Sequence, residues 1–314
     1  MTHMFTWRLA TAVVVAAAVM SGPDESRAQE ALPIFRASVS LVPITAVVRD
    51  GKNRVVRDLG REDFQVFEDS RQRRVVDFSA MEQGPVTLGL VFDTSGSMRG
   101  PNLSKGQAVV SALLDRLDHA SDEAALFTFD KAIRAETPFT NERHRIREAL
   151  DRTEGWGLTS LYDAIAETAK QVAQRRGSRR AVVVITDGVD TSSEMTLPDV
   201  SGLASAIDVP VYIFTVDAVP SAGADKSIAP REDTLLNLAR WTGGDQREVS
   251  SLHDAAPAVA ALMTELRQQY FLAIESASAS GWYRLDVRTR RKGLTVRARS
   301  GYFAATEPST ESPR

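Results

Sequence analysis

The pattern of apolar and polar positions divides the chain into an apolar leader, a β-like stretch, a long alternating stretch and a second β-like stretch. Residues 9–20 (LATAVVVAAAVM) are almost wholly apolar, follow the positive side chain of Arg8 and precede Ser26-Arg27-Ala28, which puts small residues at the two positions a signal peptidase reads. This layout predicts a signal peptide over 1–28. The apolar run falls short of the roughly 20 residues a membrane-spanning helix needs; an uncleaved anchor is the alternative. Residues 37–50 (ASVSLVPITAVVRD), 63–68 (DFQVFE) and 74–79 (RVVDFS) are strand-like, and no helical period appears before residue 100. A small β-rich unit over 36–82 follows, too short to be stable alone.

From residue 86 apolar runs alternate with helical spacing. The runs are 86–92 (VTLGLVF), 124–129 (AALFTF), 181–186 (AVVVIT) and 209–216 (VPVYIFTV); between them 102–118, 141–152, 161–175 and 198–207 have helical periodicity. Runs that are apolar at successive positions suit strands covered on both faces. Their alternation with helices predicts a doubly wound, mostly parallel α/β sheet over 86–270. A last helix fits 252–269, with Leu252, Ala255, Val259, Leu262 and Leu266 on its apolar face. Strand patterns return at 270–275, 282–288 and 294–299. The segment 271–304 is expected to pack on 36–82 as one sandwich-like unit, with the α/β domain inserted between them. The polar residues 305–314 are expected to be disordered.

Composition narrows the chemistry. The chain has 314 residues, 43% hydrophobic and 25% charged, which is globular. A net charge of −3 argues against a nucleic-acid partner. With no cysteine there are no disulfides, thiolate nucleophiles or cysteine metal sites, and the histidines at 3, 119, 144 and 253 are scattered. No other segment approaches twenty apolar residues, so the expectation is an exported protein, periplasmic or extracellular, with no membrane span after signal cleavage. Arg284, Arg288, Arg290, Arg291, Lys292, Arg297 and Arg299 fall within sixteen residues. They fit either an anionic surface or polymer, or a solvated strand face that discourages edge pairing.

The candidate site lies where apolar strands end. LGLVFDTSGSM runs into Asp93-Thr94-Ser95-Gly96-Ser97; Asp187 follows VVVIT; Thr159 sits in GWGLTS ahead of a helix. Ligands of open α/β sheets bind outside the carboxyl ends of the strands. Two carboxylates and three hydroxyls on one rim are hard oxygen donors, suited to Mg²⁺, Mn²⁺ or Ca²⁺. If the hydroxyls coordinate directly and the carboxylates act largely through water, the cation keeps its appetite for an Asp or Glu carboxylate of a partner protein. The bland alternatives are helix capping by Asp93, Ser95, Ser97 or Thr159, a plain turn at Asp187-Gly188, and a solvated loop at Asp190. Asp130, at the end of FTFD, has a better claim to the rim. Trp156 is a candidate partner contact, with loop packing as its alternative.

At these residues the chain resembles the von Willebrand factor type A family and its metal-ion-dependent adhesion site. The match is carried by Asp93-Thr94-Ser95-Gly96-Ser97, by Thr159 and by Thr186-Asp187-Gly188, in that order, and covers about 86–270. The resemblance implies that Ser95, Ser97 and Thr159 are metal ligands and that Asp93 and Asp187 act mostly through water. The stretches 59–78 (LGREDFQVFEDSRQRRVVDF) and 293–304 (GLTVRARSGYFA) are similar to a bacterial exported subgroup related to the same domain. A metal-dependent, adhesion-type protein-binding module without catalysis is therefore expected. The alternatives are an envelope component with a purely structural metal and, as a minor reading, an enzyme. A haloacid-dehalogenase-like phosphotransferase needs a carboxylate where Ser95 stands, and no G-x-S-x-G surrounds Ser95 or Ser97.

Overall fold

The structure, a computed structural model, describes residues 41–80, 84–157, 159–177, 179–188, 190–216, 234–277 and 279–304. The leader over 1–28, residues 36–40 and the tail over 305–314 lie outside the described residues. In chain order, β1 (Leu41–Asp50), β2 (Phe64–Glu68), β3 (Arg71–Arg73) and β4 (Asp77–Ala80) precede the α/β region. That region holds β5 (Thr87–Asp93), α1 (Pro101–Asp115), β6 (Glu123–Phe129), β7 (Ile133–Thr140), α2 (Arg143–Asp151) and α3 (Leu161–Ala173). It continues with β8 (Arg180–Thr186), α4 (Leu197–Ala206), β9 (Val211–Val216), α5 (Thr234–Trp241), β10 (Gln246–Val249) and α6 (Leu252–Arg267). β11 (Tyr270–Glu275), β12 (Gly281–Thr289), β13 (Leu294–Ala298) and β14 (Gly301–Ala304) close the described chain.

The continuous apolar runs become the centre of a six-stranded sheet ordered β10-β9-β8-β5-β6-β7, parallel except for β7. Each run is apolar throughout because each face has its own core. Leu88, Leu90, Phe92, Val183 and Ile185 point into a cluster with α1 and α6. Val91, Val182, Val184 and Ile213 join α3, α4 and α5 on the other face. Gly89 lets α3 lie directly on β5: a Cβ there would come within 2.5 Å of the Thr168 methyl and 2.7 Å of a Val172 methyl. Gly89→Ala is therefore expected to destabilise the fold by about 1–3 kcal/mol through overpacking. A lower urea midpoint with an unchanged slope would register it.

The flanking strands form a sandwich. One sheet is ordered β13-β1-β11-β4 and the other β14-β12-β2-β3. β1 pairs antiparallel with both β11 and β13, and β2 pairs with β12, so the segments on either side of the α/β region share one set of ladders. Ile44, Val48, Phe64, Val66, Leu272, Leu285 and Tyr302 fill the space between the sheets. The first sheet abuts the α/β region through charge: Glu265 of α6, fully buried, binds Arg247 of β10 at 2.6 Å and also Arg49 of β1 and Arg297 of β13. Arg299 reaches the carbonyls of Ser205 and Pro43 and lies 3.4 Å from Asp208.

The structure adds elements the periodicity does not reveal. β7 carries Arg134, Glu136 and Pro138 and is an edge strand, so only one of its sides is constrained by pairing. β10, α5 and β14 are short. Helices expected to reach residues 118 and 269 stop at Asp115 and Arg267. Leu252, expected on the apolar face of the last helix, is 56% exposed because it opens the first turn, beyond the edge of the core.

Candidate functional site

The floor of the site is the carboxyl end of the two central strands. β5 is hydrogen-bonded to β6 on one side and β8 on the other, and its chain continues into α1. A crevice therefore opens where the strand order reverses. Asp93, the last residue of β5, is fully buried. Its Oδ1 accepts the Ser95 amide at 2.8 Å and its Oδ2 accepts the Thr186 hydroxyl at 2.6 Å. Burial raises its pKa from 3.8 to about 6; these hydrogen bonds pull the other way, while the nearby Asp187 carboxylate adds to the rise. Asp187 is half-buried, and its Oδ1 is buried without a hydrogen-bond partner. Above this floor Ser95 Oγ, buried, and Ser97 Oγ, at the exposed mouth, stand 3.2 Å apart.

The segment leading to Thr159 is tied to the serine loop through backbone. The Trp156 amide donates to the Thr94 carbonyl at 2.6 Å and the Gly96 amide to the Gly157 carbonyl at 3.2 Å. Arg99 Nε donates to the Gly155 carbonyl at 2.6 Å. Thr159 follows two residues later and is buried. Its amide donates to Thr191 Oγ1, and its carbonyl accepts the amides of Thr191 and Ser192.

Capping does not account for these residues. The amide of Leu161, which opens α3, is capped by Asp190 Oδ1 at 2.8 Å, and those of Tyr162 and Asp163 by Ser193 Oγ. Thr159 is thus not the cap, and Asp190 is not a solvated loop residue: its carboxylate also receives the Ser193 hydroxyl. α1 begins after Gly100 with no side-chain cap, which leaves Asp93, Ser95 and Ser97 outside that duty as well. Asp130 adjoins the rim, since its carbonyl accepts the Ser160 amide, but its carboxylate is engaged by Arg134 and the Ala132 amide. Trp156 is 62% exposed, with the Arg99 guanidinium stacked 4.1 Å from its ring.

Sequence reasoning quotes Thr186 only as part of a motif, without a role, and passes over Arg99. Thr186 is the only polar residue closing AVVVIT, a signal that could have marked it as a partner for Asp93; nothing local marks Arg99. The structure brings the Asp93, Ser95 and Ser97 loop, the Thr159 segment and the end of β8 to one rim. Among the described residues no three His, Cys, Asp or Glu side chains converge as a metal cluster, so any cation here would depend on hydroxyls. The donor set fits a hard divalent cation: a desolvated carboxylate, a second carboxylate with an orphaned oxygen, and a hydroxyl pair.

Residues 88–194 match the model of the von Willebrand factor type A domain. No curated protein matches the chain. Among solved structures, a von Willebrand factor type A protein of Catenulispora acidiphila is 11% identical, covering 87% of this chain and 76% of its own with a TM-score of 0.49. The conserved protein BatB of Bacteroides thetaiotaomicron is 20% identical, covering 58% of this chain and 98% of its own with a TM-score of 0.47.

Proposed function

We propose, from a chain that carries a von Willebrand factor type A domain over residues 88–194, that the protein is an exported, divalent-cation-dependent binding module. It would engage an Asp or Glu carboxylate of a partner protein, without breaking bonds. The observation that carries this reading is the pairing of Asp93, buried and raised to about 6, with Asp187, whose Oδ1 has no partner. A fully buried carboxylate beside a second, half-buried one is costly unless a cation compensates the pair. Ser95, Ser97 and Thr159 would hold Mg²⁺, or Mn²⁺ or Ca²⁺, with Asp93 and Asp187 supplying charge balance. The bound cation would supply an electrophilic centre facing the mouth of the crevice.

A catalytic role has less support. Ser95 Oγ is partnered by Ser97 Oγ, not by a base, and the histidines among the described residues lie at 119, 144 and 253. No helix among the described residues is long and apolar enough to cross a membrane. Trp156, held by the Thr94 carbonyl and stacked with Arg99, offers a rigid aromatic contact beside the crevice. Ser95→Ala is expected to weaken Mg²⁺ binding by about tenfold or more, at least the loss that follows removal of a group that merely orients a metal ligand. Calorimetry reads that directly, and capture of a partner in Mg²⁺ should vanish in EDTA and in the variant. Partner capture that survives both would leave any cation a purely structural role; unchanged Mg²⁺ affinity would remove Ser95 from the site.

A further inference from the structure

The cation reading leaves the arginine-rich strands unexplained. Residues 41–80 and 270–304 carry fifteen Lys and Arg against nine Asp and Glu, in a chain whose net charge is −3. The excess positive charge therefore belongs to the sandwich. Its first sheet is spent on the junction with the α/β region. Its second sheet turns one face to the core, through Phe64, Val66, Leu285, Val287 and Tyr302, and the other face outward.

That outward face is aromatic at one end and basic at the other. Trp282 of β12 and Phe303 of β14 are direct cross-strand neighbours, 47% and 55% exposed. The indole lies across β14: a Cβ on Gly301 would come within 2.3 Å of Trp282 Cζ2, so only glycine leaves room for it. Along β12 the outward positions continue as Arg284, Asp286 and Arg288, the last stacked 4.8 Å from the ring of Phe67 on β2. Beside that end, at the edge between the two sheets, lies a cleft of about 530 Å³ lined by Arg61, Arg73, Arg74 and Arg290, in which Arg73 is paired with Glu68 and Arg61 is bonded to the Val76 carbonyl. Arg74, Arg284 and Arg290 form no side-chain ion pair among the described residues, whereas Arg288 is held by Asp286.

The geometry points to this outer face as a binding platform for an acidic polysaccharide. Charge complementarity selects an anionic partner. Two open ring faces on a sheet offer stacking to the C–H faces of sugar rings. From Trp282 to Arg288 is about 20 Å at strand rise, a run matched to several sugar units in a row. Asp286, placed centrally among the arginines, accepts hydroxyl protons from a sugar and repels a continuous line of phosphates, which favours a glycan over a nucleic acid.

The test is affinity electrophoresis of the full chain in EDTA, so that its outcome is independent of any cation site. The gels contain polygalacturonate, neutral dextran or oligothymidylate. Retardation by polygalacturonate alone is expected, with Trp282→Ala weakening it about tenfold, as truncation of an aromatic anchor does. Trp282→Phe should keep most of the binding, and Arg74→Gln with Arg284→Gln should weaken it and flatten its salt dependence. No retardation by polygalacturonate, equal retardation by dextran, or binding unchanged in Trp282→Ala with native near-ultraviolet dichroism would each overturn the proposal. Stronger retardation by oligothymidylate would reassign the face to nucleic acid and overturn it too.

Discussion

Replacing Glu265 with glutamine is expected to cost about 3–5 kcal/mol, the loss typical of removing one partner from a buried ion pair. Glu265 is fully buried and its two oxygens serve three guanidiniums, from Arg49, Arg247 and Arg297. Desolvation already lowers the pKa of Arg49, and the neighbouring Arg297 adds to that effect. Arg247 is lowered too, again chiefly by burial. Without the carboxylate, Asp245 alone faces this positive charge, at 3.0 Å from Arg297 and 3.5 Å from Arg247. The urea midpoint should fall, and amide exchange should accelerate first in β13 and β10, the strands whose arginines lose their anchor. An unchanged midpoint would mean the cluster is solvated and the junction is held by packing instead.

Asp93→Asn is expected to act in the opposite direction, stabilising the cation-free protein while abolishing its response to Mg²⁺. The folded-state pKa of Asp93 is about 6, above the unfolded value of 3.8. The folded state therefore holds a proton that the unfolded state has released between these values. The associated stability is complete below pH of about 4 and is lost as pH rises through about 6, a difference of roughly 3 kcal/mol. At neutral pH the native protein bears that cost, and asparagine does not. Burial also raises Asp208, whereas Asp50, Asp58, Asp199 and Asp254 are lowered and titrate with the opposite sign, as does Asp130, where burial is outweighed by hydrogen bonds from the Ala132 amide and Arg134. The diagnostic quantity is thus the difference between wild type and variant across pH 4 to 8. Mg²⁺ should close that difference at pH 7.5 and have little effect at pH 5. Equal pH profiles for the two proteins would show Asp93 to be ionised at no cost.

The sequence displays the sheet and the candidate donors more openly than the contacts that support them. Continuous apolar runs with helices between them state the sheet, because burial on both faces leaves no polar position to obscure it. The candidate donors are legible for a related reason: Asp93 and Asp187 break apolar runs at strand ends, and Ser95 and Ser97 follow at once. The supporting contacts are not legible. Thr186 meets Asp93 across two strands, and Asp190 reaches Leu161 across a loop. Glu265 appears in the pattern as one polar residue in an amphipathic helix. Its burial depends on arginines from β1, β10 and β13, which no local period connects. β7 escapes notice because an edge strand with solvent on one side tolerates Arg134 and Glu136.

The pairing of β1 has a consequence for the order of biosynthesis. β1 leads the described chain, yet its ladder partners, β11 and β13, follow the whole α/β region. A polypeptide made from its amino end thus completes β5 to α6, a contiguous unit with its own two cores, while β1 still has both edges open. The sandwich closes last, because β1 cannot complete its ladders until β11 and β13 have followed the folded α/β unit. Until then β1 exposes Val42, Ile44 and Val48 together with unpaired backbone, the kind of surface that chaperones cover in an emerging chain.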